Sequence, residues 1–549
     1  MAHDVQPQQP LWWQQGVIYQ VYPRSFKDTN ADGIGDLTGI IAKLDYLTWL
    51  GVDAIWLSPI YPSPMIDFGY DITDYTDIDP LFGDLATFDT LVAQAHQRGL
   101  KIIMDYVPNH TSDQHPWFIQ SRSSRTNPRR DWYVWADPKP GGSPPNNWLA
   151  SWGGSAWEWD ITTGQYYLHS YHKAMPDLNW RNPAVKEAMF DVVRFWLERG
   201  VDGLRIDSAQ RIMKDPQLRD NPPNPDLRGT TYKSFTDYDT QLHLNDKGHP
   251  DIHEVYRELR QLLDTYSILS PRVALGEMHI YDWRVWARYY GLQLDEIHMP
   301  LNFGLVSIPW KARTVQQLVD AVEAALLPGA WPNYVLSNHD EPRIATRVGP
   351  EQARVAMLLL LTLRGTPTLY YGDEIGMHDV EIPPEYIQDP SEKSQPGKGL
   401  GRDPERTPMQ WDGTPNAGFC PPTVKPWLPI ADDYKQTNVA IEREDRHSML
   451  TLARALLQLR RTTPALSVGS YTPIEGVPDD CFVYMRQFGK QRHLIALNFS
   501  SNEQQVHLPK PGGRVLLSTH LDREESIELN TLRLRGDEGC IIEVGDTRT

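Results

Sequence analysis

Val201-Asp202-Gly203-Leu204-Arg205-Ile206-Asp207 is an apolar run of strand length that stops on a carboxylate. Two other runs end the same way: Val273-Ala274-Leu275-Gly276-Glu277 and Tyr334-Val335-Leu336-Ser337-Asn338-His339-Asp340. Acids carried on the ends of several different strands are how a (β/α)8 barrel assembles an active site at one face. Side chains alternate along a strand, so Arg205 points the same way as Asp207, into the mouth, and favours its ionised form. Glu277 follows the small Gly276, and a glutamate in a partly desolvated cleft stays protonated near neutrality and can donate to a leaving oxygen. Two such acids are the minimum for cleaving a glycosidic bond, and Asp340 adds stabilisation for a cationic sugar. The bland readings, a structural ion pair for Asp207 and a loop cap for Glu277, carry little weight, because the acids converge on one face. His339 and the His110 of Asp105-Tyr106-Val107-Pro108-Asn109-His110 are further donors at the mouth, although singly each reads as a packing residue.

Working outward, strand-like runs alternate with amphipathic helical segments from residue 17 to about 462. The eight strands are read at 17–22, 54–57, 101–107, 202–207, 273–277, 296–302, 334–337 and 368–371. Helices fall between them, at 36–50 with Ile40, Leu44, Leu47 and Leu50 on one face, and at 88–98, 184–199, 252–266 and 449–461. Residues 108–180 break the rhythm with Trp, Pro, Gly, Asn and Ser, a stretch too long for an ordinary connection. After 466 the pattern becomes short alternating strands at 481–485, 493–497, 515–518 and 540–544. The expected fold class is α/β: a (β/α)8 TIM barrel (11–107 and 181–465), a subdomain inserted after strand 3 (108–180) and a C-terminal antiparallel β-sandwich domain (466–549).

Composition narrows the function. Lys and Arg number 53 against 71 Asp and Glu, a net charge of −18, which argues against nucleic acid and anionic membrane as partners and suits a small neutral one. The 19 Trp and 25 Tyr offer flat faces for sugar rings, or simply fill a large core. Three scattered cysteines, Cys420, Cys481 and Cys540, have neither disulfide-framework nor metal spacing. With no basic-then-apolar leader and no run of 18 apolar residues, a cytoplasmic enzyme is expected. The sequence leaves monomer and homo-oligomer equally open.

The blocks Asp105–His110, Gly203–Asp207, Glu277 and Asn338–Asp340, taken in order, resemble the sequence regions of the α-amylase family, glycoside hydrolase family 13. Gly51–Pro59, Asp67–Asp71, Met175–Asn179 and Arg402–Trp411 agree, and the likeness, spanning about residues 12 to 549, is greatest to the α-glucosidase and oligo-1,6-glucosidase branch. The resemblance implies Asp207 as nucleophile, Glu277 as general acid/base and Asp340 as transition-state stabiliser, acting with retention through a covalent glucosyl-enzyme. That chemistry needs the first two about 5–5.5 Å apart. It also implies a terminal-glucose pocket of Asp67, Tyr70, His110, Arg205, His339 and Arg402. An Asp67–Arg402 pair would close the pocket behind the non-reducing end and make the enzyme exo-acting; a loop-anchoring role for Arg402, with Arg406 in its place, is the alternative.

No cofactor is expected for catalysis. Asp28-Thr29-Asn30-Ala31-Asp32-Gly33-Ile34-Gly35-Asp36 copies the first nine positions of a calcium loop, with glycine at the sixth. Gly39 stands where the bidentate glutamate would be, and a metal-free turn is the alternative reading. By family resemblance Asp28, Asn30, Asp32, Asp36 and the Ile34 carbonyl would hold a structural Ca2+ or Mg2+.

Met175 and Leu204 stand where this branch often has Gln and Phe. After the nucleophile comes Ser208; in this branch valine there accompanies α-1,6 activity and a smaller residue α-1,4 or broader activity. The expectation is therefore release of glucose from maltose and short α-1,4 glucosides with some transglucosylation. Rivals are an oligo-1,6-glucosidase, a maltose-isomerising or transglucosylating enzyme and, remotely, a silent relative serving as a binding or transporter subunit.

Overall fold

The computed structural model describes residues 10–226, 236–508 and 512–545. Its centre is a sheet of eight parallel strands: β1 (Ile18–Val21), β2 (Ala54–Leu57), β3 (Lys101–Tyr106), β4 (Gly203–Ile206), β5 (Val273–Gly276), β6 (Met299–Pro300), β7 (Asn333–Val335) and β8 (Thr366–Tyr370). They pair in the order β7-β8-β1-β2-β3-β4-β5-β6, the cyclic order of a (β/α)8 barrel. No pairing joins β6 to β7 among the described residues. The sixth strand, read at 296–302, shrinks to two residues because Pro300 has no N–H to donate to a ladder. The strand at β4 depends on Gly203: a Cβ there would lie 2.8 Å from the Val273 carbonyl oxygen of β5, closer than such atoms pack.

The helices follow the expected spans closely, with one exception. The segment 36–50 is two helices, Leu37–Ala42 and Leu44–Leu50, broken at Lys43. Asp36 caps the first, accepting from the Gly39 N–H. Gly51, at φ 104°, ends the second in the left-handed region open to glycine.

At the barrel's base, Asp202 precedes β4 and is gripped from three sides, by His96 at 2.6 Å, Lys101 at 3.2 Å and Arg272 at 3.0 Å. At the opposite end, between β3 and β4, a small antiparallel sheet of Trp135–Ala136, Gln165–Leu168 and Trp157–Asp160 carries the aromatic insertion. It is tied to the mouth by Lys214, whose ammonium lies 2.7 Å from Asp177.

The chain ends in a six-stranded sheet, Ser470–Pro473, Cys481–Phe488, Gln491–Asn498, Gly539–Glu543, Gly513–Ser518 and Ser526–Ile527, with a second pair, Gln504–Val506 and Leu532–Leu534. Strand alternation splits its two long strands. Val483, Met485, Leu494 and Ala496 face a core internal to this domain. Phe482, Tyr484, Ile495 and Leu497 face the other way and merge with the barrel's own core. Cys420, Cys481 and Cys540 are buried and unpaired. No helix among the described residues is long and apolar enough to cross a membrane.

Candidate active site

The mouth of the barrel collects the strand-end acids in one pocket lined by Asp67, Tyr70, His110, Asp207, Glu277, Asp340 and Arg402. Arg205 and His339 lie beneath it, fully buried. The Arg205 guanidinium is the hub: Nη1 sits 2.7 Å from Asp207 and 2.8 Å from Asp105, and Nη2 sits 3.0 Å from Glu277. A second bridge joins the same acids through Ser208, whose N–H donates to Glu277 Oε2 at 2.8 Å and whose hydroxyl donates to Asp207 Oδ2 at 2.9 Å. Asp207 and Glu277 are therefore held side by side at the ends of neighbouring strands.

Their charges are coupled. Burial and the adjacent Glu277 carboxylate raise Asp207 above the usual range against the pull of Arg205. Burial works on Glu277 too, but Arg205 and the His279 ring, 3.1 Å from Oε1, outweigh it and hold Glu277 low. The two acids thus take up and lose protons as one coupled pair. Asp340 is different. Burial opposes its charge, yet His339, Arg402 and Arg406 together hold it well below the usual carboxylate range. It is a fixed anion at the floor of the pocket.

Asp340 Oδ1 accepts from Arg402 at 3.0 Å and from Arg406 at 2.9 Å. Arg402 also reaches Asp67 at 2.7 Å and Asp389 at 2.6 Å. The two arginines differ in depth: Arg402 lines the pocket beside Asp67, while Arg406 lies under it and donates to the His339 carbonyl at 2.6 Å.

Both histidines are neutral donors. Burial lowers His339 to about 3 and His110 to about 4. The His339 ring accepts from Gln20 at Nδ1 (2.7 Å) and places Nε2–H against Tyr70 Oη (2.6 Å), whose own hydroxyl donates to Asp105 at 3.0 Å. The His110 Nδ1 takes a bond from Asn109 at 3.2 Å, which leaves Nε2 as a buried donor without a partner, lining the pocket. An orphaned donor at this place is what a sugar hydroxyl would satisfy.

Sequence reasoning gave no site role to several residues. Asp105 stands inside the third-strand block and shares Arg205. His279 follows Glu277 at a two-residue spacing, a usable signal. Asp389 and Tyr171 sit in irregular segments with no periodicity to mark them.

The oxygen-rich loop folds as a set of Asx turns. Asp28 accepts from the Ala31 and Gly33 amides at 2.7 and 2.9 Å, Asn30 from Asp32 at 3.1 Å and Asp32 from Ile34 at 2.8 Å. Asp36 accepts from the Thr29 and Gly39 amides, both at 2.7 Å. The three carboxylates do not draw together into one cluster of ligand atoms. Each keeps a further lone pair free, and a donor set made only of oxygen suits a hard cation.

The family model described as "Alpha amylase, catalytic domain" matches residues 20–469. The chain belongs to the α-amylase family. It is accordingly a glycoside hydrolase, and a model described as a domain of unknown function matches residues 476–541. Among its curated relatives, the "Probable alpha-glucosidase" of Rhizobium meliloti is 42% identical over 516 residues, 91% of each chain. The "Oligo-1,6-glucosidase" of Parageobacillus thermoglucosidasius is 39% identical, covering 97% of this chain and 99% of that one. Among solved structures, the alpha-glucosyl transfer enzyme XgtA superposes with a TM-score of 0.92 at 41% identity, covering 97% of this chain and 100% of its own. The trehalulose synthase MutB from Pseudomonas mesoacidophila MX-45 gives 0.88 at 34%, with the same coverage.

Proposed function

We propose that this family member is a retaining, exo-acting α-glucosidase that frees glucose from the non-reducing end of maltose and short α-glucosides, with some transfer to sugar acceptors. The observation that carries the reading is a pair of acids bridged by Arg205 and Ser208 in a pocket whose far end is sealed by Arg402 on Asp67. A terminal glucosyl unit entering that pocket meets His110 Nε2–H, the Asp67–Arg402 pair and the Asp340 carboxylate before its anomeric carbon reaches the acids.

A proton taken up by the coupled pair is the working proton. As the glycosidic oxygen comes against Glu277, the proton moves there and is donated to the departing aglycone. Asp207, ionised and held by Arg205, bonds to the anomeric carbon. The charge that develops on the ring is balanced by the permanently ionised Asp340. Water or a second sugar then attacks the same carbon, giving its proton to Glu277 as the bond to Asp207 breaks. A sugar acceptor in that step makes a new glucoside, in keeping with the transfer enzymes among the structural neighbours. Ser208, small beside the scissile bond, favours α-1,4 substrates over α-1,6.

The test is a panel of maltose, isomaltose, sucrose, trehalose and starch with products and anomers resolved over time. Maltose should give α-glucose first, with starch nearly inert, and Asp207→Asn or Glu277→Gln should lose about 10^3-fold or more in rate. A clear preference for isomaltose, or internal cleavage of starch, would refute the assignment.

The loop 28–36 is proposed to hold a structural Ca2+ through Asp28, Asn30, Asp32, Asp36 and the Ile34 carbonyl. Its all-oxygen donor set supports this, binding would draw together carboxylates that stand apart in the structure, and no catalytic step runs through it.

A further inference from the structure

We infer that Ser208 and Tyr171 are positioning residues that hold the acid pair in register and stabilise the Asp207 carboxylate as it is released from the sugar. This rests on the retaining chemistry proposed above. Ser208 lies at φ 48°, in the left-handed region that residues with a side chain rarely occupy. Glycine would adopt that backbone at less cost but has no hydroxyl. The strained conformation turns both of its polar groups to use, the N–H to Glu277 and the O–H to Asp207.

Tyr171 completes the arrangement from the inserted subdomain. Its phenol oxygen is 2.5 Å from Ser208 Oγ. With the Ser208 proton committed to an ionised Asp207, the shared proton of this second bond comes from Tyr171, and burial keeps that phenol protonated by raising it far above its ordinary value. Its ring is fixed edge-on to His110 at 5.4 Å and lies under the Arg211 guanidinium at 5.0 Å. The chain Tyr171–Ser208–Asp207 polarises in one direction, each bond strengthening the next.

Asp207 therefore has one donor on each oxygen, Arg205 on Oδ1 and Ser208 on Oδ2. Bond formation to the anomeric carbon removes negative charge from the carboxylate and weakens the Ser208 bond. In the second half, water bonds to that carbon, its proton goes to Glu277, the C–O bond to Asp207 breaks and the electron pair returns to the carboxylate. The Ser208 bond regains its strength as that charge appears, so it speeds this half while slightly quieting the nucleophile in the first.

Opposite effects on the two halves give a signature that a merely structural role lacks. With p-nitrophenyl α-glucoside, whose good leaving group makes the second half limiting, Ser208→Ala should lower kcat about 10- to 100-fold and KM in parallel, with kcat/KM within about 2-fold. A burst of nitrophenol and a glucosylated chain in the intact mass spectrum should accompany it. Tyr171→Phe should move the same way by a smaller factor, and Ser208→Thr should restore kcat. If kcat/KM falls with kcat while KM stays put in both the Ala and Phe variants, or if neither shows a burst, Ser208 and Tyr171 do not have this role. α-Glucose as the first anomer would then leave the parent reading intact, whereas β-glucose would overturn both.

Discussion

Arg402 is the residue on which the shape of the pocket turns. One guanidinium answers three carboxylates, the buried Asp67 and Asp389 and the part-exposed Asp340. Such a fork cannot be matched by lysine, which offers a single point of charge. Replacement by alanine leaves those acids without their shared cation and opens the end of the pocket. The expected result for Arg402→Ala is a loss of about 100-fold or more in kcat/KM on maltose, with Arg402→Lys recovering only part; unchanged maltose hydrolysis would show that the arginine merely anchors its loop. The nine pocket residues named from the sequence gather at one mouth, seven lining it and two buried beneath. They were legible because strand ends and ordered motif blocks mark them. Asp389 was not, since it reaches the site through a long irregular segment and only the fold brings it beside Arg402. The coupling of Asp207 with Glu277 was equally hidden, because it arises from the arginine and the serine that the two share.

At the scale of the element, the same strand that carries Asp207 at its top is anchored by Asp202 at its foot. Burial alone would raise the Asp202 carboxyl, but the bonds from His96 and the Ile102 amide, with Lys101 nearby, outweigh it and hold it below the usual range. A depressed acid stabilises the fold above its unfolded value near 3.9 and loses that contribution as pH falls through the folded value. Asp202→Asn should therefore cost about 3 kcal/mol at pH 7 in denaturant unfolding, and the gap to the parent should narrow below about pH 4. A constant gap across that window would contradict the ion-pair account. The elements themselves were mostly readable from apolar periodicity. The exceptions have local causes: Pro300 cuts the sixth strand to two residues, and the turn at Lys43 splits a helix whose apolar face runs on uninterrupted through both halves.

For the whole molecule, the telling feature is that the terminal sheet shares its core with the barrel. Phe482, Tyr484, Ile495 and Leu497 lie among barrel helices, and the buried Arg486 donates to the carbonyls of Ser467 and Gly469 at 3.3 and 2.9 Å as well as to that of Thr362. Two units with a common interior unfold together. Scanning calorimetry should give one endotherm, and it should move up with Ca2+ and down with EDTA if the loop at 28–36 holds its ion. Two separable transitions would mean the interface is weak; an endotherm indifferent to both additions would argue for a metal-free loop. The three-part organisation could be read from composition shifts along the chain. The fusion of two cores could not, since alternation tells that a strand has two apolar faces but not what covers the second.

A pocket open at the barrel mouth and bounded at its inner end by the Arg402–Asp67 pair also fixes a sequence of departures. The aglycone, nearest the opening, leaves first; the glucose, deepest and pinned against Arg402 and Asp67, leaves last and by the same route. Accumulating glucose should then contend with fresh maltose for one berth, so that throughput is expected to fall as the sugar it makes builds up.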